Sequence, residues 1–215
     1  MTAEQIARVH APEYVNAVQT GQPRSLAESN RFDWDPGLWR AVCASNGGAV
    51  AAALHALQSG TNAGSLSSGL HHAHRDRGGG FCTFNGLALA VDALRQHGAA
   101  RIAIVDVDAH MGGGTSSLVR DVPGVVHIDV AVSSGVDAYP PPAPPHALAI
   151  VRSAGDYLST IQRTLSVLDD QIFDVCIYNA GMDPHEDSAI GGLDGITTET
   201  LRERERWFFQ WAGRC

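Results

Sequence analysis

Positive charge is scarce in this chain: 15 lysines and arginines face 23 aspartates and glutamates, for a net charge of −8. Non-specific nucleic-acid binding requires a basic face, so the balance argues against that class, while an acidic surface would attract cationic substrates. Long apolar runs are also missing, and none approaches the roughly 18 residues of a membrane span. The N-terminal MTAEQIARVHAPEYV has no basic stretch followed by an apolar core, so no secretory signal is visible. Cysteine is sparse. Cys43, Cys82, Cys176 and Cys215 show neither metal-type nor disulfide-framework spacing. Cys43 and Cys176 fall in apolar segments, as expected of reduced core thiols in a cytoplasmic protein.

What is present is a 44% hydrophobic chain of 215 residues, enough for one domain with a sizeable core. Residues 38–58 predict a buried, alanine-rich helix, and residues 85–97 a second helix stopped by Gly98. RIAIVDVDAH, residues 101–110, is a β-branched run suited to a parallel strand buried on both faces. VVHIDVAV (125–132) and FDVCIYNAG (173–181) predict two more strands, with a helix over 154–170 between them. YPPPAPP (139–145) predicts an extended loop. Strands alternating with helices imply a three-layer α/β/α fold around a mostly parallel sheet. No linker or repeat marks a boundary, so the whole of 1–215 is expected to be one domain. The chain starts on a helix with no preceding strand and stops on an amphipathic one. It is therefore expected to be incomplete at both ends, with C-terminal strands missing.

In such folds ligands bind beyond the carboxyl ends of the strands. Asp106, Asp108 and His110 fall at the end of one strand and Asp183 just after another. Residues i and i+2 of a strand point the same way, so Asp108 and His110 can aim at one ion, with Asp183 as a second carboxylate. Two carboxylates and one imidazole leave an open position on zinc, as catalytic zinc requires. Alternatively, Asp108 and His110 merely cap turns. His71 and His72 stand side by side in a polar loop, and histidine is the side chain suited to proton transfer near neutral pH. A solvated loop would also explain such a pair. Gly78–Gly80 and Gly112–Gly114 let backbone approach a ligand closely, or simply give loop flexibility. RERER (202–206) is expected to be a solvated helix face, and Trp207, Phe208, Phe209 and Trp211 a core or covered interface.

Three blocks in order, GLHHAHRDRGGGFCTFN, IVDVDAHMGGGT and YNAGMDPHEDSAIGG, resemble the zinc-dependent histone deacetylase family. The resemblance is to its class II-like and bacterial branch, with the acetylpolyamine amidohydrolases, and runs from VHAPEYV to the terminal helix. It implies the arginase/deacetylase fold and hydrolysis of an acetyl-amide, a C–N bond other than a peptide bond. Asp108, His110 and Asp183 match the ligands of one Zn2+. His71 and His72 match the catalytic tandem histidines, the second as general base and acid, and Asp106 the carboxylate that orients the first. Gly80, Phe81 and Gly181 match substrate-binding positions. The implied substrate is an acetylated lysine, polyamine or small amide, with no membrane or direct nucleic-acid partner.

The chain departs from the family pattern at four places. The family's Gly-Gly-Tyr, which supplies an oxyanion donor, would follow the terminal helix, and Tyr14, Tyr139, Tyr157 and Tyr178 do not match it. Gly113 stands where the family has Asp or Asn, and Gly86 where it commonly has Asp. Asp129 and Ala131 stand where many members carry serine and histidine around a structural monovalent cation, which an aspartate could also coordinate. These departures leave an alternative: a truncated, inactive zinc-holding domain that binds acylated ligands or a partner protein. A manganese ureohydrolase on the same fold is a further alternative, although Met111 and Gly112 stand where it would carry its extra carboxylate.

Overall fold

The computed structural model describes residues 1–67 and 70–213. Cys215 and the first two residues of SGLHH lie outside the described residues. The chain forms two compact units, Met1–Ala100 with Gly113–Pro123, and Arg101–Gly112 with Gly124–Cys215. Among the described residues no helix is long and apolar enough to cross a membrane.

The first unit is built from helices. Helix α1 (Ala3–Ile6) starts in a capping box in which Thr2 and Gln5 satisfy each other's backbone N–H. Helix α2 (Pro12–Thr20) begins on proline and ends at Gly21, whose φ of +75° suits glycine. The short α3 (Arg24–Ala27) precedes the long α4 (Leu38–Ser59). Helix α5 (Gly86–Gln96) is capped by the Asn85 side chain, which accepts from Ala88 N–H, and α6 (Gly113–Val119) completes the unit. Its core joins Ile6, Tyr14, Val18, Val42, Phe84 and Leu89. The expected burial of α4 is corrected: only Val42, Asn46 and Ala53 are buried. Its alanines are apolar all round, but only one stripe meets the core. Cys43 is half-buried at the edge of that core.

The second unit holds a four-stranded parallel sheet in the order β3-β2-β1-β4. Strands β1 (Ile102–Asp106) and β2 (Val125–Ala131) are buried along their whole length, which is why both read as continuous apolar runs. Strand β3 (Ala147–Ile150) follows the proline-rich loop and was not expected from the sequence. The predicted 154–170 helix is an α-helix, α7, only over Tyr157–Leu165, with a 3₁₀ turn at each end. Strand β4 (Val175–Asn179) and helix α8 (Thr198–Ala212) complete the unit, α8 starting in a capping box at Thr197. The register aligns Asp129, Asp106 and Asn179 across β2, β1 and β4, so the carboxyl ends of three strands form a polar edge.

The expectation that RERER is a solvated face is also corrected. Arg204 is fully buried, on the same stripe of α8 as Leu201, Phe208 and Trp211. Phe208 and Trp211 are core residues as expected, while Phe209 is 52% exposed.

His10 ties the first unit together. Its Nδ1 lies 2.8 Å from the His74 carbonyl and its Nε2 accepts from Asn85 N–H at 3.0 Å, which fixes the neutral tautomer. Burial lowers its pKa from 6.5 to about 4. Between those values the unfolded chain takes up a proton that the folded chain refuses, so stability falls as pH drops from 6.5 to about 4. The expected loss is on the order of 3 kcal/mol. Urea unfolding across this range should show that slope in the wild type and its loss in His10→Gln. Equal slopes would refute the assignment.

Candidate functional site

Strand β1 ends at Asp106, four residues earlier than the 101–110 strand expected from the sequence. Asp108 and His110 therefore do not converge by strand alternation, and side chains shape the turn instead. Asp106 Oδ1 accepts from Asp108 N–H at 3.1 Å, and Asp108 Oδ1 accepts from His110 N–H at 2.9 Å. Asp183 Oδ1, arriving from beyond β4, accepts from Ala109 N–H at 2.9 Å. Backbone leaving a buried strand loses its ladder partners, and these carboxylates replace them.

The turn gathers the three predicted metal ligands. His110 Nδ1 lies 3.3 Å from Asp108 Oδ1 and 3.0 Å from Asp183 Oδ2. The donor atoms of all three residues fall within 4.8 Å of one another. Donors about 2.1 Å from a tetrahedral ion sit about 3.4 Å apart, so the set is close to ligand geometry. The other ring nitrogen, Nε2, donates to the Ile190 carbonyl at 2.8 Å, which orients the ring and leaves Nδ1 facing the carboxylates. Hydrogen bonds that its ring donates to the Asp108 carboxylate and then to that of Asp183 raise the His110 pKa to about 10. The two carboxylates thus favour a positive charge at this point, which a divalent cation supplies more strongly than a proton.

Asp106 is fully buried and also accepts from Asn179 Nδ2 at 2.8 Å. Gly181 packs against the turn that carries Asp108: a Cβ there would lie 2.4 Å from Asp108 Cα. Asp129 Oδ2 accepts from Gly112 N–H and from the Tyr139 hydroxyl, both at 2.8 Å.

The predicted histidine pair, Gly80 and Phe81 lie in the first unit. His71 and His72 are both buried, and their Nε2 atoms are 3.1 Å apart, which corrects the solvated-loop alternative. The His71 carbonyl accepts from Thr115 N–H at 2.9 Å and Asn85 Nδ2 at 3.3 Å. A Cβ on Gly114 would meet that carbonyl at 2.6 Å, so this glycine is needed for close approach of α6. Gly79 and Cys82 bond each other's backbones around Gly80 (φ +48°) and Phe81 (φ +66°). Two positive φ values mark a type I′-like turn. The His72 ring rests on Gly80, where a Cβ would fall 2.2 Å from Cδ2. Phe81 holds a strained conformation, costing on the order of 1–2 kcal/mol, that leaves its ring 52% exposed and 5.4 Å from Phe32.

Sequence reasoning missed Arg204, whose Nη1 reaches the Gly181 carbonyl at 2.8 Å and the Val107 carbonyl at 3.4 Å, respectively two residues before the predicted ligand Asp183 and one before the predicted ligand Asp108. The available signal was the 3-4-3 spacing of Leu201, Arg204, Phe208 and Trp211, which places the arginine on the apolar stripe.

The histone deacetylase domain family matches residues 1–215. An uncharacterized protein of Picosynechococcus sp. is 33% identical over 207 residues, covering 92% of this chain and 67% of its own length. The polyamine deacetylase HDAC10 of Homo sapiens is 32% identical over 139 residues, covering 58% of this chain and 20% of its own. The crystal structure of an HDAC homolog complexed with SAHA matches the fold with a TM-score of 0.82 at 18% identity, over 97% of this chain and 62% of that one. The chain thus spans between about a fifth and two thirds of these relatives' lengths.

Because Gly181 packs directly on Asp108, Gly181→Ala should displace the ligand turn and weaken Zn2+ binding by more than about 10-fold in chelator competition. An unchanged affinity would show that this packing does not set the ligand positions.

Proposed function

This chain belongs to the histone deacetylase family, and from that membership we propose that it takes part in zinc-dependent hydrolysis of acetylated amines. The observation that carries the reading is the convergence of Asp108, His110 and Asp183 on one point. Imidazole and carboxylate donors with an open position suit catalytic Zn2+. Bound there, the ion would supply Lewis acidity, polarising an amide carbonyl and acidifying water.

The chain's own residues then divide the work. Asp108, His110 and Asp183 hold the ion, with the ring of His110 oriented by the Ile190 carbonyl. His72 takes the proton of the attacking water and returns it to the leaving amine, and His71 adds electrostatic support. Asp106 is the supporting carboxylate of that transfer. Gly80 and Phe81 receive the acyl-amine stem, the glycine through its carbonyl and the phenyl ring as an apolar wall. Gly181 belongs with them by sequence, and its packing on Asp108 gives it a second role in shaping the ligand turn.

The substrate class we propose is acetyl-lysine or an acetylated polyamine, the second suggested by the relative named a polyamine deacetylase. A net charge of −8 would attract an acetylated polyamine, whose remaining amines are cationic. A second reading, a metal-holding domain without turnover, is favoured by Gly113. That residue opens α6 with no side chain where the family carries a carboxylate or amide.

Acetate release from an acetyl-lysine peptide and from an N-acetylpolyamine, measured with the full-length protein, decides between them. Release is expected for one of the two, abolished in Asp108→Ala and reduced about 100- to 10,000-fold in kcat by His72→Ala. Residual activity in Asp108→Ala equal to wild type would sink the hydrolase reading. A wild type that binds zinc but releases no acetate would favour the second.

A further inference from the structure

Arg204 is fully buried, and it is the largest such side chain described. Burying a guanidinium is costly, and an apolar side chain of similar volume often stabilises a core as well or better. The reason for an arginine must lie in its hydrogen bonds. Nη1 donates to the Gly181 carbonyl at 2.8 Å, the Tyr157 hydroxyl at 2.9 Å and the Val107 carbonyl at 3.4 Å. Nε donates to Glu205 Oε1 at 2.8 Å and Nη2 to the same oxygen, so the charge is balanced within α8. Tyr178 donates to that carboxylate as well, at 3.2 Å.

The two carbonyls are what give this network a consequence. Val107 immediately precedes Asp108, and Gly181 lies two residues before Asp183. One planar group therefore fastens the turn after β1 to the turn after β4, where the two metal-binding carboxylates arise. A Cβ on Gly181 would lie 2.4 Å from Asp108 Cα, so the two turns are already in close contact where Arg204 holds them.

We propose that Arg204 is a positioning residue of the metal centre: by binding both carbonyls it fixes the separation of Asp108 and Asp183, and with it metal affinity and coordination geometry. The proposal rests on the metal-centre reading above, but its test needs no catalysis. The full-length protein is titrated with Co2+, whose visible absorption reports coordination geometry, while thermal unfolding is followed in parallel. Arg204→Met removes the donors and keeps the volume. It should weaken Co2+ binding about 10- to 100-fold and alter the absorption bands. Leu201→Ala empties a buried position one turn away on the same face of α8. It should lower the melting temperature yet keep Co2+ affinity within about threefold of wild type, because it touches neither carbonyl bond. Arg204→Lys keeps the charge but lacks the planar fork, and should fall between wild type and Arg204→Met. If Arg204→Met does not fold, Arg204→Lys carries the test, with weakened binding and altered bands expected. Affinity and bands equal to wild type in the folded arginine variant would overturn the proposal, as would an equal loss in Leu201→Ala. No Co2+ binding by the wild type would overturn the metal reading itself, and this proposal with it.

Discussion

A buried strand has to end, and the backbone amides beyond its last ladder bond need acceptors. At the end of β1 those acceptors are carboxylates. Asp106 takes the amide of residue 108, Asp108 that of residue 110, and Asp183 that of residue 109. Satisfying the backbone and gathering the three candidate metal ligands are therefore one arrangement. Asp183 uses Oδ1 for the amide of Ala109 and turns Oδ2 toward His110. The same turn that would otherwise bury unpaired N–H groups concentrates negative charge on one imidazole. Removing a carboxylate would cost both the ligand and the fold of the turn that carries the others.

The first unit meets a different constraint. Two adjacent histidines are buried in a loop, and loops bury backbone only where it finds partners. Thr115 and Asn85 hold the carbonyl of His71, and Asn85 also reaches that of Ala73. His10 holds His74 on one ring nitrogen and Asn85 on the other. Gly80 and Gly114 remove side-chain volume where the histidine segment needs contact with neighbouring backbone. The segment that carries the rings is thus held by hydrogen bonds to its backbone and by close packing on glycine.

The strands β1, β2 and β4, the helices α5 and α8, and the grouping of Asp108, His110 and Asp183 were all legible in the sequence, although β4 is buried only at its two ends. Continuous β-branched runs and acid-x-His spacing are local signals, and they survive folding. What was not legible depended on tertiary context. Strand β3 is four residues long and half-buried, too short for a periodic signal, and it follows prolines that dominate the local pattern. The turn after β1 looked like strand because Val107 and Ala109 are apolar, but beyond Val107 the amides of residues 108, 109 and 110 pair with side chains rather than with a neighbouring strand. Arg204 was hidden by its neighbours. Read as composition, RERER is a solvated run. Read with helical spacing, its central arginine falls on the stripe of Leu201, Phe208 and Trp211.

The central claim is that Asp108, His110 and Asp183 together hold one divalent ion. Elemental analysis of the purified full-length protein tests it most directly, by comparing zinc per chain in the wild type and in Asp108→Asn, which keeps the size of the side chain and removes its charge. The account predicts roughly one zinc per wild-type chain and a large loss in the variant. Equal metal content in the two proteins, or a wild type that retains no divalent ion, would contradict it.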